Sequence, residues 1–184
     1  EGIAKEYHKL RKILMNDCQI GLTKLYNQFH NDNLVVDVED LSNKAFQKQY
    51  GKETWNLYNH LEVKQEGNIS YEEAVPLIYK LRELHKEMDE AVLEAYGWHQ
   101  DTERWGKAIN LRHDFYEVDY LPENDRVRYT IHPEARKEVL KRLLLLNHEM
   151  HEAEERNITY EELDVEKILE IYKGHIKDWL PANN

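Results

Sequence analysis

The stretch NISYEEAVPLIYKLRELHKEMDEAVLEAYGW, residues 68–98, reads as one long amphipathic helix with both ends marked. Ser70 and Glu73 have capping-box spacing: the serine oxygen takes the amide three residues on, and the glutamate reaches back to the serine amide. Ala74, Ile78, Leu81, His85, Met88, Val92 and Ala95 alternate by four and three. They form one stripe, as in a helix packed lengthwise on another. Gly97 suits a left-handed C-cap, with Trp98 folding back onto the last turn. Pro76 cannot donate to the helical ladder, which predicts a kink in the first turn or a second helix start.

Upstream, residues 3–30 read as one or two amphipathic helices, stopped by Asn31-Asp32-Asn33. Residues 35–68 are less regular and read as two short helices broken near Gly51, with a loop at 65–68. Downstream the period changes. Residues 115–121 and 127–131 are short, aromatic and β-branched, and Pro122-Glu123-Asn124-Asp125 is a turn, so a β-hairpin is predicted. Pro133 suits the first position of a helix over residues 133–155, where its missing N–H costs nothing. On that helix Val139, Leu143, Leu146, Met150 and Ala153 fall within about 80° and form the expected packing stripe. Thr159 and Glu162 repeat the capping logic and predict a last helix. The expected fold is therefore mainly α: a bundle-like single module over residues 1–184, about six helices, with a β-hairpin inserted near residues 115–131. The stripes through Ala74 and Val139 are expected to face a shared core.

Asn-Ile-Ser/Thr-Tyr-Glu-Glu occurs at Asn68 and again at Asn157, and the phrase from Leu84 to Ala91 echoes that from Leu146 to Ala153. The two pairs come in opposite order. A tandem repeat keeps its order, so these are shared helix-start and packing signals.

Hydrophobic residues make up 41% of the 184, which suits a globular chain. The net charge of −11 argues against a nucleic-acid binder that uses its whole surface, though not against a local basic patch. The single cysteine, Cys18, excludes an internal disulfide and a cysteine-rich zinc site, and a reducing, cytoplasmic setting fits. No apolar run approaches the roughly 20 residues of a membrane helix. The chain starts at Glu1 without a signal peptide, which suggests a fragment or a processed product.

Chemistry-bearing motifs are few. His148 and His151 share a helix at a spacing that can share a metal, but they match neither H-E-x-x-H nor H-x-x-E-H. They read as solvated or rim histidines. His85, inside the apolar stripe, reads as a core-edge histidine bonded to a neighbour. Cys18 reads as a buried structural thiol. No glycine loop suited to phosphates or a dinucleotide occurs, and no G-x-S-x-G elbow. Glu72, Glu73, Glu161 and Glu162 sit in first helical turns, where they complement the helix dipole. One basic cluster, Arg126, Arg128, Arg136, Lys137, Lys141 and Arg142, supplies candidates for contact with a DNA backbone; the bland reading is a solvated hairpin edge with ordinary pairs such as Glu138 with Arg142.

Three phrases occur in order: IGLTKLYNQFHN (20–31), LRELHKEMDEAVLEAYGW (81–98) and FYEVDYLPENDRVRYTIHPEARKEVLKRLLLLN (115–147). Together they resemble the C-terminal region of large bacterial and archaeal SAM-dependent N6-adenine DNA methyltransferases, the long single-chain restriction–modification or phage-defence enzymes of the type IIG kind. Residues 37–68 lie outside the common pattern, as a family-specific insertion. The resemblance implies a C-terminal piece of a longer protein whose methyltransferase and target-recognition domains lie upstream. SAM is then the parent's cofactor, adenine in double-stranded DNA its substrate, and no membrane is involved. The family's glycine-rich SAM motif and Asn-Pro-Pro-Tyr are absent, so the resemblance assigns no catalytic, cofactor or metal residue here. The acidic surface and heptad-like stripe leave an alternative, a free-standing helical protein–protein interaction module. A metal-dependent hydrolase using His148 and His151 is a third reading.

Overall fold

The structure is a computed structural model and describes residues 2–159. It is mainly helical. In chain order it has α1 (Gly2–Asp17), α2 (Leu22–Phe29), α3 (Asn43–Tyr50), α4 (Lys52–Tyr58), a π-helical turn (Asn59–Val63), α5 (Tyr71–Ala95), β1 (Asp114–Glu117), a 3-10 turn (Glu123–Asp125), β2 (Val127–Thr130) and α6 (Pro133–Arg156). The predicted helix from Thr159 lies outside the described residues. Among those residues no helix is long and apolar enough to cross a membrane. The chain divides into two compact units. One holds residues 2–108 and Arg112–Ile131; the other holds Ile109–Leu111 and, among the described residues, 132–159.

α5 organises the first unit. Its capping box is complete: Ser70 Oγ accepts from the Glu73 amide at 3.1 Å, and Glu73 accepts from the Ser70 amide at 2.8 Å. Replacement of such a cap by alanine typically costs about 1 kcal/mol. Pro76 neither breaks nor restarts the helix, which runs unbroken from Tyr71. The proline leaves the Glu72 carbonyl without its usual donor, but both residues are exposed, where water can serve. At the far end Gly97 has φ +68, its amide bonds Glu94 O, and the Trp98 amide bonds Leu93 O. This is the expected Schellman ending, and Trp98 stacks on Tyr96 at 4.6 Å.

The α5 stripe is buried at Ala74, Ile78 and Leu81, half-buried at His85 and Met88, and exposed at Val92 (57%) and Ala95. The reason is length. α1, the main partner, has 16 residues and spans about 24 Å, whereas the 25 residues of α5 span about 37 Å. The core gathers Tyr7 and Leu14 of α1, Cys18 just beyond its end, Leu25 and Phe29 of α2, and Ala74, Val75, Ile78, Leu81 and Leu84 of α5. Leu57 and Leu61 belong to it too, so residues 37–68 are built into the core. Around Phe46 the rings of Tyr50, Trp55 and Tyr58 lie at 4.8–5.2 Å and clasp α3 to α4. Gly51, at φ +86, separates the two helices as expected.

α2 ends against a polar network. Asn31 donates to Gln28 Oε1 and Thr54 Oγ1, Thr54 donates to Asn33 O, and Gln28 donates to Glu53 O. The centre of the joint is Arg82. Its buried guanidinium donates to the carbonyls of Gln28, Phe29 and Asn31 at 2.8–3.1 Å. These include the carbonyls that the end of a helix leaves without partners, at the end of the dipole that favours a cation. The same guanidinium lies over the rings of Tyr79, Phe115 and Tyr129 at 4.9–5.6 Å. Tyr71 and Tyr79 donate to Val35 O and Leu34 O and fasten the extended chain after α2.

The hairpin forms as predicted, with a shorter first strand. Register pairs Asp114 with Thr130 and Phe115 with Tyr129. Beyond Glu117 the chain bends, because the Leu121 amide turns back to Val118 O.

In the second unit α6 starts at Pro133, with His132 as N-cap accepting from the Glu134 amide. Its buried face is not the predicted stripe. Ala135, Arg142, Leu145, Glu149 and Ala153 are buried, while Leu143 (37%) and Met150 are exposed. Only Ala153 belongs to both sets, and the expectation that the Val139 stripe faces a core is corrected. Leu140 and Leu143 to Leu146 are apolar all round, so periodicity does not choose among them; Arg142 and Glu149 lie on the face that is buried.

Arg82→Leu is expected to destabilise the fold by roughly 3–5 kcal/mol, because three carbonyls lose a charged donor, and Arg82→Lys is expected to restore under half of that, since an ammonium lacks the planar fork; urea unfolding measures both. Leu145→Ala is expected to cost roughly 2–5 kcal/mol and Leu143→Ala about 1 or less, by the same measurement.

Candidate functional site

The densest gathering of titratable side chains lies where α2, α5 and the start of the hairpin meet in the first unit. Asp89 Oδ2 is 2.8 Å from His113 Nε2 and 3.7 Å from His85 Nε2. His113 is 1% exposed at its side chain, whereas His85 and Asp89 are about one-third exposed. His30 and His85 flank the Phe29 ring at 5.0 and 5.4 Å, and Tyr7 lies 5.9 Å from His85. Tyr129 contacts both Phe29 and His113. The Nδ1 atoms of His30, His85 and His113 are buried without a hydrogen-bond partner.

Burial dominates the electrostatics. It pushes His30 down to about 4, helped by the Arg128, His85 and Arg82 charges. It also pushes His85 down, with Asp89 opposing. The Tyr7 hydroxyl, bonded to Tyr26 at 2.9 Å, is held well above its ordinary range by burial and by that bond. Depressed histidines beside a carboxylate often mark functional sites. Here His113 donates Nε2–H to Asp89, and its other nitrogen is buried in the protein. The group orients and packs. His85 is the core-edge histidine expected.

Two clefts border this region. One, about 380 Å³, lies between α2 and α4 and is lined by Lys24, Asn27, Asn56 and His60. His60 is held by Cys18 O at 2.8 Å and by Glu66 at 2.7 Å. The other, about 650 Å³, opens beside His30 and the hairpin turn. Its cations Lys52, Arg126 and Arg128 face Asp32, Glu53, Glu123 and Asp125, so it has no excess of positive charge.

The six basic residues singled out in the sequence divide between the two units. Arg126 and Arg128 belong to the first unit, and Arg136, Lys137, Lys141 and Arg142 to the second. Arg126 donates to Leu121 O, and Arg128 pairs with Asp125. Glu138 takes both Lys141 at 3.7 Å and Arg142 at 2.8 Å. Arg142, 1% exposed, is not presented to solvent, which corrects its reading as a backbone contact. Lys137 is exposed and Arg136 half-buried.

His151 is exposed beside Glu155, and His148 is half-buried. Among the described residues no group of three or more His, Cys, Asp or Glu is gathered to hold a metal ion. Burial and Asp17 push the Cys18 thiol up to about 12, far from a reactive thiolate.

Sequence reading missed another basic group. Lys5, His8, Lys9 and Lys12 are all exposed on α1. Their spacing, i, i+3, i+4, i+7, is the signal that could have found them.

Comparison with family models, with curated proteins and with solved structures finds no match.

The histidine group makes stability depend on pH. His30 has a folded value of about 4 against about 6.5 unfolded, so below 6.5 the unfolded chain binds the proton more readily. The contribution is full above 6.5 and is lost as pH falls toward 4; His85 acts in the same sense. Relative to His30→Gln, the wild type is expected to lose on the order of 2–3 kcal/mol between pH 7 and 4 in urea unfolding. Parallel pH profiles for the two proteins would contradict this.

Proposed function

We propose that the chain is a non-catalytic helical C-terminal module of a restriction–modification or phage-defence DNA methyltransferase, whose parent reaction moves a methyl group from SAM to adenine N6. The observation that carries the reading is the ordered set of three phrases at residues 20–31, 81–98 and 115–147. The packing is consistent with it. The first phrase supplies Phe29 and Asn31, the second Arg82, His85 and Asp89, and the third Phe115 and Tyr129. These residues meet around one guanidinium and one phenyl ring.

The residues present do not fit SAM. Among the described residues the only strands are those of the hairpin, and neither runs into a glycine-rich turn. No step of methyl transfer is routed through this chain. Adenine flipping and methyl transfer belong to upstream domains, and the module's partners are the methyltransferase and target-recognition domains of the same protein.

The test is to read the coding sequence upstream of Glu1 and to incubate the full-length product with duplex DNA and SAM. A glycine-rich SAM motif, Asn-Pro-Pro-Tyr and N6-methyladenine in the digested DNA are expected. A longer chain without those motifs, or adenine left unmethylated, would overturn the reading.

A further inference from the structure

We propose that the β-hairpin is a pH-operated clasp. With His30 and His85 neutral it is held on α2 and α5, and protonation of both releases it while the helical core stays folded. The clasp belongs to this chain's own packing and stands whatever the parent protein is.

Placement gives the first reason. His30 is the C-cap of α2, His85 lies on α5, and His113 immediately precedes β1. They gather at the two rings through which the hairpin meets the helices. The Phe29 ring lies 5.0 Å from His30 and 5.4 Å from His85, Tyr129 meets Phe29 edge-on at 5.7 Å, and His113 lies 6.2 Å from Tyr129. All of these residues belong to the first unit.

Hydrogen bonding and charge give the second. The Nδ1 atoms of His30 and His85 are buried without a partner. An imidazolium carries a proton on both nitrogens, so each ring would place an unsatisfied N–H there. Opposite His30 stand Arg128 of β2 and Arg82 and His85 of α5, with Asp125 of the hairpin turn as the opposing charge. Asp125 is already paired with Arg128, and the carbonyls at the end of α2, which would favour a cation, are taken by Arg82. A charged His30 is therefore set against Arg128 across the junction of α2 and β2. Opposite His85 stand His113 and the Tyr7 ring of α1, with Asp89 one turn on. Asp89 is also the carboxylate that ties His113, at 2.8 Å, so a charged His85 competes for it.

The hairpin is the part that gives way. Among the described residues its two strands have no third neighbour, and a two-stranded hairpin alone is marginal in water. Phe115 and Tyr129 meet the Arg82 guanidinium, Tyr129 meets Phe29, and His113 bonds Asp89. The first of these ties runs through Arg82, which faces His30, and the last through Asp89, which faces His85. The packing of α1 on α5 rests instead on apolar residues such as Leu14, Ile78 and Leu81, which no proton alters.

The test is amide hydrogen exchange of the 184-residue chain at about pH 7.5 and about pH 5, corrected for the intrinsic chemical rate. His30 at about 4 in the closed state and about 6.5 in the released state raises the opening equilibrium roughly 25-fold between the two conditions. That rise is expected at the amides of β1, β2 and Val118, which bonds Arg126 O, with Leu81 and Leu84 of α5 unchanged. Arg128→Gln removes the charge facing His30, and the rise should fall below about tenfold. In His30→Gln/His85→Gln, neutral at both pH values, it should vanish. Equal hairpin exchange at the two pH values, α5 amides rising in step with the hairpin, or a double variant that keeps the rise would overturn the proposal. Should the double variant fail to fold, the wild type and Arg128→Gln decide it: an undiminished rise in Arg128→Gln counts against the clasp.

Discussion

The first unit depends on a cation held without a carboxylate. Arg82 is buried, and its charge rests on three carbonyls at the end of α2 and on three aromatic faces. Burial alone makes the charged form costly, and it lowers the Arg82 pKa. The carbonyl dipoles at the helix end offset that cost, and a planar guanidinium suits them because it can donate in several directions while its face stacks. One side chain of α5 thereby caps the end of α2 and ties it to the hairpin. The Gln28, Asn31 and Thr54 network extends the same joint to α4.

Around this joint polar groups outnumber what a simple apolar core needs. His30, His85, His113, Tyr7 and Tyr26 crowd the Phe29 and Tyr129 rings, and several of their polar atoms are buried. Such a core is specific at neutral pH, when burial keeps His30 and His85 uncharged. Each proton taken up at lower pH adds positive charge beside Arg82 and Arg128. The chemistry concentrated here serves the architecture.

Charge is divided in a way that composition hides. Arg128 pairs with Asp125 in the first unit, and Lys141 and Arg142 pair with Glu138 in the second. The basic residues on α1 stand at helical spacing with the core behind them. Sequence proximity drew attention to the first group, whereas the second is exposed along one helix face.

The sequence by itself determined the local events: the Ser70–Glu73 box, the Gly97–Trp98 ending, the break at Gly51, the hairpin before Pro133 and the stop after His30. Each is set by residues within a few positions, through capping bonds, positive φ or a missing amide, so it can be read locally. Tertiary structure alone decided which face of α6 is buried, how far along α5 the stripe stays covered, and that Arg82 reaches Phe29, 53 residues away. Those outcomes depend on partners distant in sequence, and periodicity states that a helix has an apolar face without stating what meets it. An arginine in the middle of a helix reads as solvated, and only the approach of the α2 carbonyls and of the Phe115 and Tyr129 rings makes it the centre of the fold.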